Sequence, residues 1–211
     1  MRKRILDLYQ EYRQGTLDRR DFLARLAQIA GGAAAAAALL PLLESGSAEA
    51  QIVAPDDARL DAGHVEYQGA TGKVRAYSAR PKAAGKLAGV VVIHENRGLN
   101  RHTEDVARRV ALEGFAALAP DALSPLGNTP DDLDKARTLM GQLDRQANTN
   151  NYVAAVAYLK TQPQATGKVG CMGFCWGGGV TNQVAVHSPD LTAAVPFYGA
   201  QPAGHARAIS S

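Results

Sequence analysis

The chain has 211 residues, 46% apolar and 20% charged, with a formal net charge of +3, the profile of an ordinary globular domain long enough to bury a sizeable core. Those values exclude a disordered chain and a collagen-like fibre, and two cysteines only four positions apart, Cys171 and Cys175, cannot staple a disulfide scaffold. The charge is too small and too scattered for a nucleic-acid footprint, and no stretch has the length and apolarity predicted for a membrane-spanning helix.

The first fifty residues read differently from the rest. Residues 1–25 carry an excess of basic side chains, Ile29 to Leu43 is a weakly apolar run built on Gly31, Gly32 and Ala33 to Ala38, and Ser47-Ala48-Glu49-Ala50 offers small residues in an A-x-A arrangement. A basic start, an apolar middle and a small-residue cleavage site form the layout of an export signal. The junction Asp18-Arg19-Arg20-Asp21-Phe22-Leu23-Ala24 resembles the twin-arginine type, with Asp18 in place of the usual Ser or Thr. That resemblance implies passage through the twin-arginine translocase, cleavage after Ala50 and a periplasmic protein with no membrane anchor left. The competing reading is one amphipathic helix, Leu6–Leu43, packed on the domain. Residues 51–62 read as a linker, 63–200 as the folded domain and 201–211 as an irregular tail.

Within the domain, His64–Gln68 and Val74–Ser78 predict a hairpin around Gly69-Ala70-Thr71-Gly72. Gly89–His94 is a near-continuous apolar run, the mark of a strand covered on both faces. A helix is expected over Thr103–Glu113, stopped by Gly114, then a buried strand over Phe115–Ala119 ended by Pro120-Asp121. Pro130–Leu143 and Asn148–Lys160 predict two helices, Lys168–Met172 a strand, Gly177–His187 a helix and Ala193–Tyr198 a last strand. Strands alternating with helices predict an α/β fold, a mostly parallel sheet between two helical layers.

The densest chemistry lies in Gly170-Cys171-Met172-Gly173-Phe174-Cys175-Trp176-Gly177-Gly178-Gly179. Gly173-x-Cys175-x-Gly177, between a predicted strand and a predicted helix, has the pattern of a nucleophile elbow with cysteine in the serine position. A side chain held in so tight a turn needs glycines on either side, because a Cβ there would strike neighbouring backbone. The helix N-terminus favours a thiolate over a thiol. The bland alternative is a buried small hydrophobe, which is the reading given to Cys171.

Val91-Val92-Ile93-His94-Glu95-Asn96-Arg97-Gly98-Leu99-Asn100, Glu104-Asp105-Val106-Ala107-Arg108, Gly114–Asp121 and Gly173-Phe174-Cys175-Trp176-Gly177-Gly178 together resemble the dienelactone hydrolase family, from about His64 to Pro202. The resemblance implies an α/β-hydrolase fold, a carboxylic ester or lactone as substrate, and no cofactor or metal. It assigns Cys175 as nucleophile, Glu95 as the carboxylate beside the resting cysteine, and the backbone N–H groups of Trp176 and Asn96 as oxyanion hole. Read without it, Glu95 is a solvated loop acid. Arg97 either steers an anionic substrate or pairs with Glu104 or Asp105. Trp176 and Tyr198 either wall a pocket or fill the core. His94 and His102 flank the loop without a metal-ligand pattern.

The family continues beyond the segment like Ala194–Gly199 with two more strands, an Asp, a His and a closing helix. Here Asp190 and His205 are the acid and the histidine downstream of the last predicted helix, neither at the expected place. The sequence therefore predicts an α/β-hydrolase lacking those last elements, with the strand at 193–198 left as a bare apolar edge. The alternative function is a non-catalytic remnant that at most binds a ligand or partner.

Overall fold

A computed structural model describes residues 2–13, 17–47, 52–83 and 85–202. The chain divides into two compact units, Met1–Ala50 and Gln51–Ser211. The expected cleavage point at Ala50 and the tail with His205 lie outside the described residues.

Among its described residues the first unit holds three helices, α1 (Arg2–Arg13), α2 (Arg19–Ala30) and α3 (Ala33–Ser47), rather than the single helix weighed above. The breaks are chemical. Asp18 caps α2 by accepting the N–H of Asp21 at 2.9 Å, and Gly31 at φ +89° ends it. Tyr9, Phe22 and Leu26 share a small core in which the rings of Tyr12 and Phe22 stack at 4.5 Å, while Arg19 and Arg20 are exposed. Among the described residues, no helix is long and apolar enough to cross a membrane.

The second unit is a six-stranded sheet: β1 (Leu60–Gly69), β2 (Gly72–Pro81), β3 (Leu87–Ile93), β4 (Ala116–Pro120), β5 (Ala165–Phe174) and β6 (Ala193–Phe197), in the order β1-β2-β4-β3-β5-β6. The β1–β2 hairpin turns at Gly72 and joins β4 antiparallel, whereas β4, β3, β5 and β6 run parallel. Between them come α4 (Arg101–Leu112), α5 (Leu133–Met140), α6 (Arg145–Lys160) and α7 (Trp176–His187). The expected α/β architecture is therefore present. Most predicted elements return with slightly different ends, the hairpin strands being several residues longer.

Side chains on a strand alternate between faces, and the central strands show it. Val91 and Ile93 of β3, with Val169 and Cys171 of β5, point towards α5, α6 and α7, meeting Met140, Tyr152, Val156, Leu159, Val180 and Val184. Val92 points the other way, to Val106, Ala107 and Ala111 of α4. Burial of each Val or Leu in such a layer contributes about 1.5–3 kcal/mol before conformational entropy is charged.

The segment assigned to a linker is part of this fold, a correction to the boundary at 51–62. Ile52 and Val53 donate their N–H groups to Asp105 Oδ1 at 3.0 and 2.8 Å, Val53 O accepts from Arg108 Nε at 2.9 Å, and β1 already opens at Leu60. Asp105 and Arg108 are buried on α4, and the backbone at 52–53 supplies polar partners that burial makes necessary. At the opposite edge, β6 carries no charged residue, and Val195 and Phe197 are exposed.

Candidate active site

β5 ends at Phe174 and α7 begins at Trp176, so a single residue, Cys175, makes the turn. Its backbone sits at φ +54°, ψ −114°, a region that costs an L-residue about 1–3 kcal/mol and persists only where the surroundings dictate it. Those surroundings are glycines. A Cβ at Gly173 would lie 2.3 Å from Gly177 O, and one at Gly177 would lie 2.4 Å from His94 O and 2.6 Å from Ile93 O. The expected collisions at both positions are thus present, and the turn is pressed against the end of β3. Cys175 N–H donates to Phe197 O at 3.1 Å, while its own carbonyl accepts from Gly179 at 3.2 Å as α7 begins. The half-buried Cys175 and the buried Cys171 are both free thiols. Burial pushes the Cys171 thiol up to about 12, only partly opposed by the Thr181 hydroxyl, which leaves Cys171 inert near neutral pH.

Beyond β3 the loop 94–100 carries the other candidates. Glu95 is half-buried, and its Oε1 accepts from the Tyr198 hydroxyl at 2.9 Å. Asn96 is exposed, and Trp176 N–H lies in the first turn of α7, where no intrahelical acceptor exists. The Trp176 ring stacks on His94, with centroids 5.4 Å apart and planes 9° from parallel. Trp176 thus covers a buried ring, whereas Tyr198 lies on the surface, 73% exposed. Arg97 is half-buried. Of its two suggested partners, Glu104 lies 3.4 Å from His64, and Asp105 faces Arg108 and the Ile52 and Val53 amides.

Two supporting residues were not singled out from the sequence. Asp121, read only as a strand stop, accepts from Leu123 N–H at 2.9 Å, Thr129 N–H at 2.8 Å and the Thr129 hydroxyl at 2.7 Å. Thr129 Oγ1 in turn accepts from Leu99 N–H at 2.9 Å, and Gly98, at φ +77°, has no room for a Cβ beside it. This network ties the Glu95 loop to the end of β4. An acid directly after a strand and a threonine eight residues on was the available signal.

His94 is fully buried. Its Nε2 accepts from Ala122 N–H at 3.1 Å, so Nδ1 carries the proton and donates to Glu95 O at 2.6 Å. Burial lowers the ring from the ordinary histidine value, against the raising influence of the Glu95 carbonyl and the Asp121 charge. The unfolded chain takes up a proton near pH 6.5 that the folded ring refuses. The folding free energy His94 supplies is therefore intact above that pH and declines as pH falls below it. Urea midpoints measured from pH 8 to pH 5 are expected to drop below about pH 6.5, with a smaller drop in His94→Gln; parallel curves would contradict this.

The downstream acid and histidine within reach of description lie elsewhere. Asp190 pairs with Lys160 at 2.5 Å, and His187 Nδ1 bonds Gln183 O on the surface of α7. Among the described residues, no group of three or more His, Cys, Asp or Glu side chains could hold a metal ion. A groove of about 480 Å³, lined by Asp61, Arg80, Gly89, Tyr158 and Gln164, lies towards the amino ends of β3, β4 and β5, whereas Cys175 sits at the carboxyl end of β5.

Comparison with known proteins identifies the family. The profile of the Dienelactone hydrolase family matches residues 74–210. An Escherichia coli protein named "Putative carboxymethylenebutenolidase" is 35% identical over 150 residues, 69% of this chain and 55% of that protein. A second, named "Putative hydrolase fragment YghX", is 47% identical over 112 residues, 52% of this chain and 96% of its own length. Among solved structures, a dienelactone hydrolase of Klebsiella pneumoniae, itself described as putative, superposes with a TM-score of 0.59 at 30% identity, over 66% of this chain and 60% of the other. A dienelactone hydrolase-like promiscuous phosphotriesterase from metagenomic libraries gives 0.62 at 33% identity, over 72% and 66%. The chain thus spans little more than half the length of the carboxymethylenebutenolidase-named relative. With a profile match over residues 74–210, most of the second unit, the chain belongs to the dienelactone hydrolase family.

Proposed function

We propose that the second unit hydrolyses carboxylic esters or lactones through Cys175. The observation that carries the reading is the backbone of Cys175, held at φ +54° between two glycines at the N-terminus of α7. In this reading the Cys175 sulfur attacks the substrate carbonyl, the alcohol or enolate oxygen leaves, and water then releases the acid from the thioester. The N–H groups of Trp176 and Asn96 receive the developing oxyanion. Glu95 is the carboxylate beside the thiol, and Arg97 meets a substrate carboxylate where one is present. The substrate is a small ester or lactone, and the reaction asks for no cofactor.

The test compares p-nitrophenyl acetate and a dienelactone as substrates for the parent and Cys175→Ala. Hydrolysis is expected in the parent and lost in the variant, with iodoacetamide labelling Cys175 and sparing Cys171. Equal hydrolysis by both proteins would sink the assignment. A second reading, a ligand-binding module without turnover, is favoured by the pairing of Asp190 with Lys160 at the surface; labelling of Cys175 without turnover by the parent would decide for it.

We also propose that residues 1–50 direct export to the periplasm by the twin-arginine route, with cleavage after Ala50. What supports this is the exposed Arg19-Arg20 pair followed by the Ala-rich stretch. Replacing both arginines by lysine is expected to leave the uncleaved chain in the cytoplasm; a periplasmic form beginning at Gln51 after that change would refute the route.

A further inference from the structure

We propose that Tyr198 is a positioning residue for Glu95, its hydroxyl fixing one carboxylate oxygen and leaving the other to serve Cys175; the inference rests on the nucleophile reading above. Three independent features of Tyr198 point to this. Its hydroxyl donates to Glu95 Oε1 at 2.9 Å across 103 positions of sequence. The residue is 73% exposed, so core filling does not account for it. Its backbone lies at φ +41°, the left-handed region that a bulky aromatic residue rarely adopts.

The chain is pinned on both sides of that left-handed residue. Phe197 O accepts the Cys175 N–H, and the Phe197 ring stacks on Phe174 at 4.8 Å. Gly199 packs so tightly on α7 that a Cβ there would lie 2.1 Å from the carbonyl carbon of Gly178. Between those two fixed points the backbone turns sharply, and the Tyr198 side chain reaches the end of β3.

These contacts close a ring around the thiol-bearing residue. Cys175 bonds Phe197, Tyr198 follows Phe197 and holds Glu95, His94 precedes Glu95, and His94 lies under Trp176, which follows Cys175. Glu95 is therefore bracketed by two residues, each one step from a neighbour or partner of Cys175. A glutamate at the start of a loop has several rotamers open to it, and without a partner it swings into water. A phenol donating to a carboxylate is a charge-assisted hydrogen bond, strong enough to select one arrangement.

The test reads the thiol itself. In alkylation by iodoacetamide the sulfur of Cys175 forms a bond to carbon as iodide leaves, and the thiol proton passes to Glu95 or buffer. Rates are followed by intact mass on the full chain, with peptide mapping to locate the label, for the parent, Tyr198→Phe, Glu95→Ala and the double variant. Tyr198→Phe is expected to slow labelling of Cys175 by about tenfold, within the range of coupled pairs, and to add nothing in the Glu95→Ala background. The ring is kept and exposed, so the urea midpoint of Tyr198→Phe should match the parent. Labelling at the parent rate, or equal slowing in both backgrounds, overturns the inference while leaving Cys175 as nucleophile. Failure to label Cys175 in the parent overturns both.

Discussion

Gly177→Ala is expected to destabilise the second unit by about 3 kcal/mol or more, the upper end of what overpacking costs. The added methyl would stand 2.4 Å from His94 O and 2.6 Å from Ile93 O, and neither neighbour is the movable end of a side chain. Both are backbone carbonyls at the end of a central strand. Relief requires α7 to move away from β3, which would also disturb the stacking of Trp176 on His94. Gly170→Ala is the matched control, since its Cβ meets only Ala193, at 3.6 and 3.8 Å, an ordinary contact. Urea unfolding of both variants checks the expectation. Equal midpoints for the two would mean that the turn yields more easily than its geometry indicates.

Arg108→Ala is expected to cost a similar 3–5 kcal/mol, the usual result of removing one member of a buried ion pair. Arg108 is wholly buried; its guanidinium donates to Val53 O and to the Tyr77 hydroxyl, both at 2.9 Å, and lies 3.8 Å from Asp105. Its removal leaves a buried carboxylate without a cation and frees the backbone at Val53. Two readouts should move together: a lower urea midpoint, and faster proteolytic cleavage within residues 52–59. Arg108→Lys keeps the charge but loses the planar fork, so it should fall between parent and Ala. A midpoint unchanged in Arg108→Ala would show that the Ile52 and Val53 amides alone satisfy Asp105.

Much of the architecture was readable because it rests on local pattern. Val90 to Ile93 is β-branched without interruption, which suits a strand covered by helices on both sides, and Gly114 marks the end of α4 through a positive φ that glycine supplies. Gly173 and Gly177 were legible for a related reason: two glycines spaced around one cysteine, between a strand and a helix, make little sense except as a crowded turn. The parts that could not be read are long-range pairings of ordinary residues. Asp105 and Arg108 look like any acid and base on an amphipathic helix, and nothing local says that they face Ile52 and Val53 rather than water. The residues from Gln51 onward therefore passed for a linker. Tyr198 ends an apolar strand and reads equally as pocket wall or core, yet the left-handed backbone at Tyr198 goes with a side chain on the surface. The break of residues 2–47 into three helices was written in Asp18 and Gly31-Gly32, but the continuous small-residue run concealed it.

The bracket around His94 also decides which proton transfers are open to this chain. A base must offer a vacant lone pair, and the lone pair on Nε2 is already committed to the Ala122 N–H, while the proton on Nδ1 points at a carbonyl that cannot accept it outright. The imidazole standing next to Glu95 in the sequence is thus chemically spent. A histidine scan for a general base would find in His94 variants a protein that melts earlier, not one whose proton shuttle has been cut.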